Sequence, residues 1–361
     1  MSSDFGIITR KKGQHMIEVQ TPVPDRRGEV GTTAEQPLLR VSKLKRYFDV
    51  SAPFLNRLIE GQPVQILKAV DGVSFQIKKG ETFSLVGESG CGKSTVAKLV
   101  VGLYAPTGGS IEYEGVNIGG LGRKQLAPLR SRLQMIFQDP YSSLNPRWRV
   151  KDIIGEPIKA FGLLEGKDAI ARRVGELLEH VKLTSEDGEQ YPHEFSGGQR
   201  QRISIARVLA SQPQFLVCDE PTSALDVSVQ AQILNLMLDL QREFQLTYLF
   251  ISHDLAVVYH ISDRVGIMYL GRLVEVAPVR SLFHRPRHPY TRMLLEAIPD
   301  IKMTGKPRTS IGGEVPNPIN PPSGCAFHPR CPISTKRCKS EMPVLKPMEN
   351  DVFVACWEVA K

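Results

Sequence analysis

The stretch Gly87-Glu88-Ser89-Gly90-Cys91-Gly92-Lys93-Ser94-Thr95 carries the sharpest chemistry in the sequence. It fits G-x-x-x-x-G-K-S/T, follows the apolar run TFSLVG and precedes a helical pattern. Glycines let the backbone curl so that successive N–H groups point at a phosphate, and the helix start adds its positive dipole end. Lys93 then reaches the β- and γ-phosphates, and Ser94 offers a hydroxyl to Mg2+. The stretch reads as a nucleotide phosphate site. A second feature, Phe215-Leu216-Val217-Cys218-Asp219-Glu220, is an apolar run ending in two acids. A buried strand that ends there puts both carboxylates at the carboxyl edge of a sheet, beside the phosphate loop. Asp219 is expected to take Mg2+, directly or through water, and Glu220 to orient and deprotonate the attacking water. A third feature, Ser196-Gly197-Gly198-Gln199, precedes the helical pattern ISIARVLA. With Ser196 as N-cap and two glycines exposing N–H groups, it is a second anion-binding helix start.

The elements that must position these groups lie between residues 38 and 298. There the runs LLRVSKL, TFSLVG, LQMIFQ, FLVC, TYLFIS and VGIMYL alternate with amphipathic stretches. Short continuous apolar runs between helical patterns predict buried, mostly parallel strands in an α/β domain. Residues 1–37 are polar and aperiodic, and a disordered leader is expected. From 299 to 361 the texture changes to ten prolines and four cysteines, too little apolar material for a core without a staple. The chain has 361 residues, 41% hydrophobic and 23% charged, as in ordinary globular proteins. Its net charge of +8 suits anionic company: nucleotide phosphates, an acidic membrane surface or nucleic acid. The opening lacks the apolar region of a secretory signal, and no run reaches the roughly 20 residues of a membrane span. Six cysteines in such a chain suggest thiols or metal ligands before disulfides.

Two phosphate-binding helix starts in one chain need an explanation, and a family resemblance supplies it. Ser196-Gly197-Gly198-Gln199 in this position resembles the signature of ABC ATPases, which contacts ATP held by the opposite subunit of a dimer. The other family elements follow in order. Gln138 in MIFQDP resembles the Q-loop, Ser223-Ala224-Leu225-Asp226 the D-loop, and His253 in ISHD the switch histidine. Tyr47 or Phe48 resembles the aromatic that stacks on adenine, the spacing favouring Phe48. The resemblance implies an α/β P-loop NTPase fold, an ABC cassette over about residues 38–298. A helical subdomain at about 139–195 would dock on a permease. It also implies that Lys93, Mg2+ and His253 surround the γ-phosphate, that Gln138 senses the phosphate or Mg2+, and that Asp226 belongs to the composite ATP site. The basic run from Arg200 to Arg207 is expected to be a solvated face. DNA-repair and chromosome relatives carry long coiled coils between phosphate loop and signature; this chain has no sustained heptads there, so no nucleic acid partner is expected.

Cys325, Cys331, Cys338 and Cys356 are spaced C-x5-C-x6-C-x17-C, unlike the usual zinc-finger knuckles. With Arg287-His288-Pro289-Tyr290-Thr291 before them, they resemble the Cys-rich, Pro-rich C-terminal domain of dipeptide and oligopeptide importer ATPases. The resemblance implies a 4Fe-4S cluster on the four thiolates, with structural zinc as the alternative. Arg330, Lys336, Arg337 and Lys339 offer charge to offset such a cluster. Its role is expected to be structural or regulatory and to leave ATP binding untouched. Cys91 and Cys218 read as small filler residues, and His328 as packing. Residues 49–66 form an insertion similar to one in one of the two paired ATPases of peptide importers. This implies a second, distinct ABC ATPase, two permease subunits and a periplasmic or extracellular substrate-binding protein. The chain would then lie on the cytoplasmic face of the cell membrane, energising uptake of small peptides, with nickel or glutathione as other substrates of this ATPase type.

Overall fold

β1 (Leu39–Asp49) and β2 (Ile66–Ile77) pair antiparallel, and in β2 buried positions alternate with exposed ones toward the C-terminal end. That alternation is what one buried sheet face demands. In the computed structural model, which describes residues 36–61, 63–139, 143–297 and 313–359, they join β4 (Gly108–Tyr113) and β5 (Val116–Asn117) in a sheet ordered β2-β1-β4-β5. β3 (Thr82–Val86) lies in a second sheet with β6 (Leu133–Ile136), β7 (Phe215–Asp219), β8 (Thr247–Ile251), β9 (Arg264–Tyr269), β10 (Arg272–Pro278), β11 (Lys346–Pro347) and β12 (Phe353–Val354). Its order is β11-β12-β10-β9-β3-β8-β7-β6, parallel from β9 to β6 and antiparallel beyond β9.

The parallel strands are buried on both faces, which is why they read as unbroken apolar runs. Along β7, Phe215 and Val217 face a core shared with β1, β2, β4 and the helix Lys93–Val100. Leu216 and Cys218 face the opposite core, filled by the helices Val150–Ala160, Lys167–His180, Gly197–Leu209 and Val227–Phe244. The run LLRVSKL, expected among mostly parallel strands, instead leads into β1 of the antiparallel sheet, where Leu39, Val41 and Leu44 are buried while Arg40 and Lys43 are exposed. The tail contributes β11 and β12 to the sheet edge and shares a third core with β9 and β10 through Phe327, Val352, Val354 and Cys356. Part of the tail's missing core is therefore borrowed from the cassette. The leader, apart from residues 36 and 37, and the predicted boundary at 298/299 lie outside the described residues. Among those described, no helix is long and apolar enough to cross a membrane.

Candidate functional site

β3 runs into the loop 87–92, and the helix Lys93–Val100 starts directly after Gly92, its N-cap. Lys93 is 6% exposed, and its Nζ donates to the carbonyls of Gly87 at 2.7 Å and Glu88 at 3.1 Å. The ammonium thus lies against the backbone of the loop that would receive a phosphate. Cys91 packs behind the loop; burial pushes its thiol pKa up, as for Cys218 on β7, so both serve as filler.

β7 delivers two acids to the same edge. Ser94 Oγ donates to Asp219 Oδ1 at 3.0 Å, which brings together the hydroxyl and carboxylate expected for Mg2+. Burial raises the Asp219 pKa, and the neighbouring Glu220 raises it further, against the Ser94 hydrogen bond and the charges of Lys98 and Lys93. A divalent cation there would offset both penalties. Glu220 adopts φ +47°, a left-handed conformation that costs a non-glycine residue free energy. Its N–H donates to Ile251 O at 3.0 Å, tying it to β8. Gln138 Nε2 donates to Glu220 Oε2 at 3.0 Å, and His253 Nδ1 stands 3.1 Å from the same oxygen. The ends of β6 and β8, which flank β7 in the sheet, thus bring two side chains onto one carboxylate oxygen of Glu220. The arrangement can hold a phosphate, a divalent cation and a polarised water together.

Ser196 caps the helix Gly197–Leu209: its Oγ accepts from Gln199 N–H at 3.3 Å, and its N–H donates to Gln199 Oε1 at 3.0 Å. Gly198 lies against Val229, where a β-carbon would collide with the Val229 side chain, and Gly197 lies near Leu225. Asp226 is the N-cap of the helix Val227–Phe244. Among the described residues, no hydrogen bond joins Ser196–Gln199 to the loop 87–95 or to Glu220, so the second helix start takes no part in the hydrogen bonding of the loop. The expectation of a solvated Arg200–Arg207 face is corrected. Arg200 is buried and donates to the carbonyls of Pro192 and His193, and Arg202 and Arg207 donate to those of Val181 and Ser143. These guanidiniums close backbone acceptors around the start and flank of the signature helix.

Tyr47 and Phe48 part company on β1. The Tyr47 hydroxyl donates to Asp71 Oδ1 at 2.6 Å, and burial with this bond pushes its pKa up to about 12. Asp71 also pairs with Arg272. Phe48 has no polar handle; Arg46 covers one ring face at 4.6 Å, and Tyr104 meets it edge-on at 5.7 Å.

Comparison with known proteins places these features in a family. A profile described as ABC transporter matches residues 70–223, and one described as the C-terminal region of oligopeptide/dipeptide transporters matches residues 274–338. The oligopeptide transport ATP-binding protein AppF of Bacillus subtilis is 47% identical over 89% of this chain and 97% of its own length. This chain belongs to the ABC transporter family. The di/tripeptide transport ATP-binding protein DppF of Pseudomonas aeruginosa is likewise 47% identical, over 89% of this chain and 97% of its own. The dimeric ATP-binding cassette MJ0796, in a post-hydrolysis state with ADP and Pi, superposes with a TM-score of 0.59 at 25% identity, covering 67% of this chain and 99% of that one. The fold is that of the ABC cassette, and the chain is an ABC-type ATPase.

The tail of this ABC ATPase gathers its cysteines. All four are free thiols and line one small cavity with His288, His328, Trp357 and Glu358. Burial pushes the Cys325 pKa up to about 11 and raises those of Cys331 and Cys356, with the neighbouring thiols adding to the effect. Soft sulfur donors facing one space suit an iron–sulfur or zinc centre. Among the described residues, however, no group of three or more His, Cys, Asp or Glu side chains is arranged to hold a metal ion. His328 Nδ1 lies 3.0 Å from Cys325 O. Two of the basic residues expected to offset a cluster have protein partners of their own. Arg337 stacks on Trp357 at 3.7 Å and pairs with Glu341, and Arg330 pairs with Glu88 of the phosphate loop. That contact spans 242 residues, and no sequence period signals it. Glu275 on β10, fully buried, accepts from the N–H groups of Arg287 and His288 and fixes the start of the helix Pro289–Glu296. Tyr290, on that helix, is the other residue to which the sequence assigns no task.

Proposed function

We propose that this chain energises uptake of dipeptides or oligopeptides, binding ATP on the loop 87–95 and hydrolysing it with Glu220 as base. The observation that carries the hydrolytic role is the convergence of Gln138 and His253 on Glu220 Oε2, beside the Ser94–Asp219 pair. Oε2 takes a proton from the attacking water, His253 and Gln138 orient that water and the γ-phosphate, and Lys93 neutralises phosphate charge. Ser94 and Asp219 would hold Mg2+, which supplies further neutralisation. Ser196, Gly197, Gly198 and Gln199, with Asp226, would close on ATP held by a partner ATPase; that no hydrogen bond among the described residues joins Ser196–Gln199 to this chain's own loop supports that division. Relatives described as oligopeptide and di/tripeptide transport ATP-binding proteins support the substrate class. The proposed partners are a distinct second ABC ATPase, two permeases and an external binding protein, with this chain peripheral on the cytoplasmic face of the membrane. In reconstituted complex, a dipeptide-loaded binding protein should stimulate ATP hydrolysis. Stimulation by nickel or glutathione alone would move the substrate to another class, and two identical copies of this chain in the extracted complex would refute the heterodimer.

Phe48 is the proposed adenine platform, since the hydroxyl of Tyr47 is committed to Asp71. Phe48→Ala should weaken ATP binding by about tenfold, the scale of one stacked base. Tyr47→Phe should change it by less than about twofold, its main cost being one hydrogen bond in the fold. The reverse ranking in a binding titration would reassign the platform to Tyr47.

For the tail we propose that Cys325, Cys331, Cys338 and Cys356 hold a 4Fe-4S cluster. The support is four thiols on one cavity together with the family resemblance. Such a group would supply a covalent staple for a segment with little apolar surface of its own. Anaerobically purified protein should be brown and contain iron and sulfide. Colourless protein with one zinc per chain would establish the zinc alternative.

A further inference from the structure

Glu88, the second residue of the phosphate loop, is engaged on every side. Its carbonyl accepts from Lys93 Nζ at 3.1 Å, and its N–H donates to Tyr290 Oη at 3.0 Å. Its carboxylate accepts two hydrogen bonds from Arg330, Nη1 to Oε2 at 2.8 Å and Nη2 to Oε1 at 3.0 Å. The Arg330 side chain is only 3% exposed and that of Glu88 21%. Arg330 also lies over the rings of Tyr269 and Phe327, 5.8 and 5.9 Å from their centroids. Those rings pack against each other at 5.3 Å and against Tyr290 at 4.7 and 5.4 Å, and all three are fully buried. A bidentate guanidinium–carboxylate pair shielded from water is the strong kind of ion pair, and removing one partner strands the other's charge. Here the stranded charge would be a carboxylate on the loop that must receive a triphosphate. Repulsion between like charges at such range is large where solvent screening is poor.

The route by which Arg330 reaches the loop begins at the cysteines. Phe327 and Arg330 both lie between Cys325 and Cys331. The turn is pinned by His328 N–H to Cys325 O at 2.9 Å and Arg330 N–H to Phe327 O at 3.0 Å. Cys325 N–H in turn donates to Cys338 O at 2.8 Å, so three of the four cysteines frame the turn. Whatever fixes the spacing of those thiols fixes where the guanidinium stands.

We infer that Arg330 is a positioning residue for the nucleotide site, neutralising Glu88 and holding the phosphate loop in shape. The Cys325–Cys331 turn carries the state of the four-cysteine cavity to ATP affinity. This rests on residues 87–95 being the ATP site, and it is the alternative to the expectation that the tail leaves ATP binding untouched. The test is a double-mutant cycle on the full-length chain, titrated with Mg-ATP: wild type, Arg330→Ala, Glu88→Gln and the pair. Arg330→Ala should weaken binding by about tenfold in the wild-type background and by less than about twofold beside Glu88→Gln, where no charge is stranded. Arg330→Lys keeps the charge with a less fitting donor and covers the case in which the alanine variant fails to fold. It should lose about threefold, again only while Glu88 is present. Cys325→Ser with Cys331→Ser should weaken binding as Arg330→Ala does, with no further loss when combined with it. Equal losses with and without the Glu88 carboxylate would overturn the neutralising role, and full affinity in the cysteine variant would overturn the coupling. A wild-type chain that does not bind ATP would instead overturn the assignment of the site.

Discussion

Glu220→Gln should bind ATP with near-normal affinity and hydrolyse it at least about a hundredfold more slowly, the scale of losing a positioned base. The substitution keeps the volume of the side chain and its ability to accept from Gln138, so the geometry at the ends of β6 and β7 has no reason to change. What disappears is the negative charge on Oε2, 3.1 Å from His253 Nδ1, and with it the group placed to take a proton from water there. The backbone argues for the same role. A glutamate at φ +47° costs conformational free energy, and in that conformation its carboxylate meets Gln138 and His253. With ATP bound and hydrolysis blocked, the dimer of cassettes should accumulate in its closed form. The measurement is steady-state turnover of the reconstituted complex beside ATP binding to the same variant. Turnover within about tenfold of wild type would remove Glu220 from the catalytic role, since a lost general base costs more than that.

How legible this chain is depends on how each feature is encoded. The parallel strands β3, β6, β7, β8 and β9 are visible because burial on both faces writes them as continuous apolar runs. β2 is not, because its one buried face leaves Val70, Val73, Phe75 and Ile77 separated by polar residues, with no continuous run to mark it. The phosphate loop is readable from its own nine residues, since contiguous backbone does the binding. The Glu220–Gln138–His253 cluster is assembled from three strand ends, and sequence order reaches it only through the family resemblance. Arg200 shows the opposite error. A charged residue in a basic run reads as solvated, yet Arg200 is buried, with Nε and Nη2 donating to the carbonyls of Pro192 and His193 inside the fold. The Arg330–Glu88 pair is out of reach for a related reason: each partner belongs to a motif with an expected role of its own, and only packing of Phe327 between Tyr269 and Tyr290 brings the two motifs together.

Two glycines of the phosphate loop should respond very differently to the same added methyl group. Gly90 has φ +79° with nothing within 4 Å of the place a β-carbon would take, whereas Gly92 has φ +104° and a β-carbon there would run into the carbonyl oxygen of Ala69 on β2, with Met268 Cε at 2.9 Å. Gly90→Ala therefore bears only the left-handed backbone cost, about 1–2 kcal/mol. ATP binding should weaken by no more than about thirtyfold, which is the same free energy read as an equilibrium constant. Gly92→Ala bears that cost and a clash with backbone that cannot rotate out of the way. Either β2 shifts or the loop unwinds from the start of the helix Lys93–Val100, and in both cases Lys93 and Ser94 leave their places. Mg-ATP binding should fall by at least about a hundredfold, since each 1.4 kcal/mol is tenfold and two penalties now add. Thermal unfolding followed on the same samples separates loss of the site from loss of the fold. Gly92→Ala should melt lower than Gly90→Ala yet still unfold cooperatively, because the core formed with the helices Val150–Ala160, Lys167–His180, Gly197–Leu209 and Val227–Phe244 contains no residue of the loop. Equal ATP affinities in the two variants would mean that the contact with Ala69 does not shape the phosphate loop.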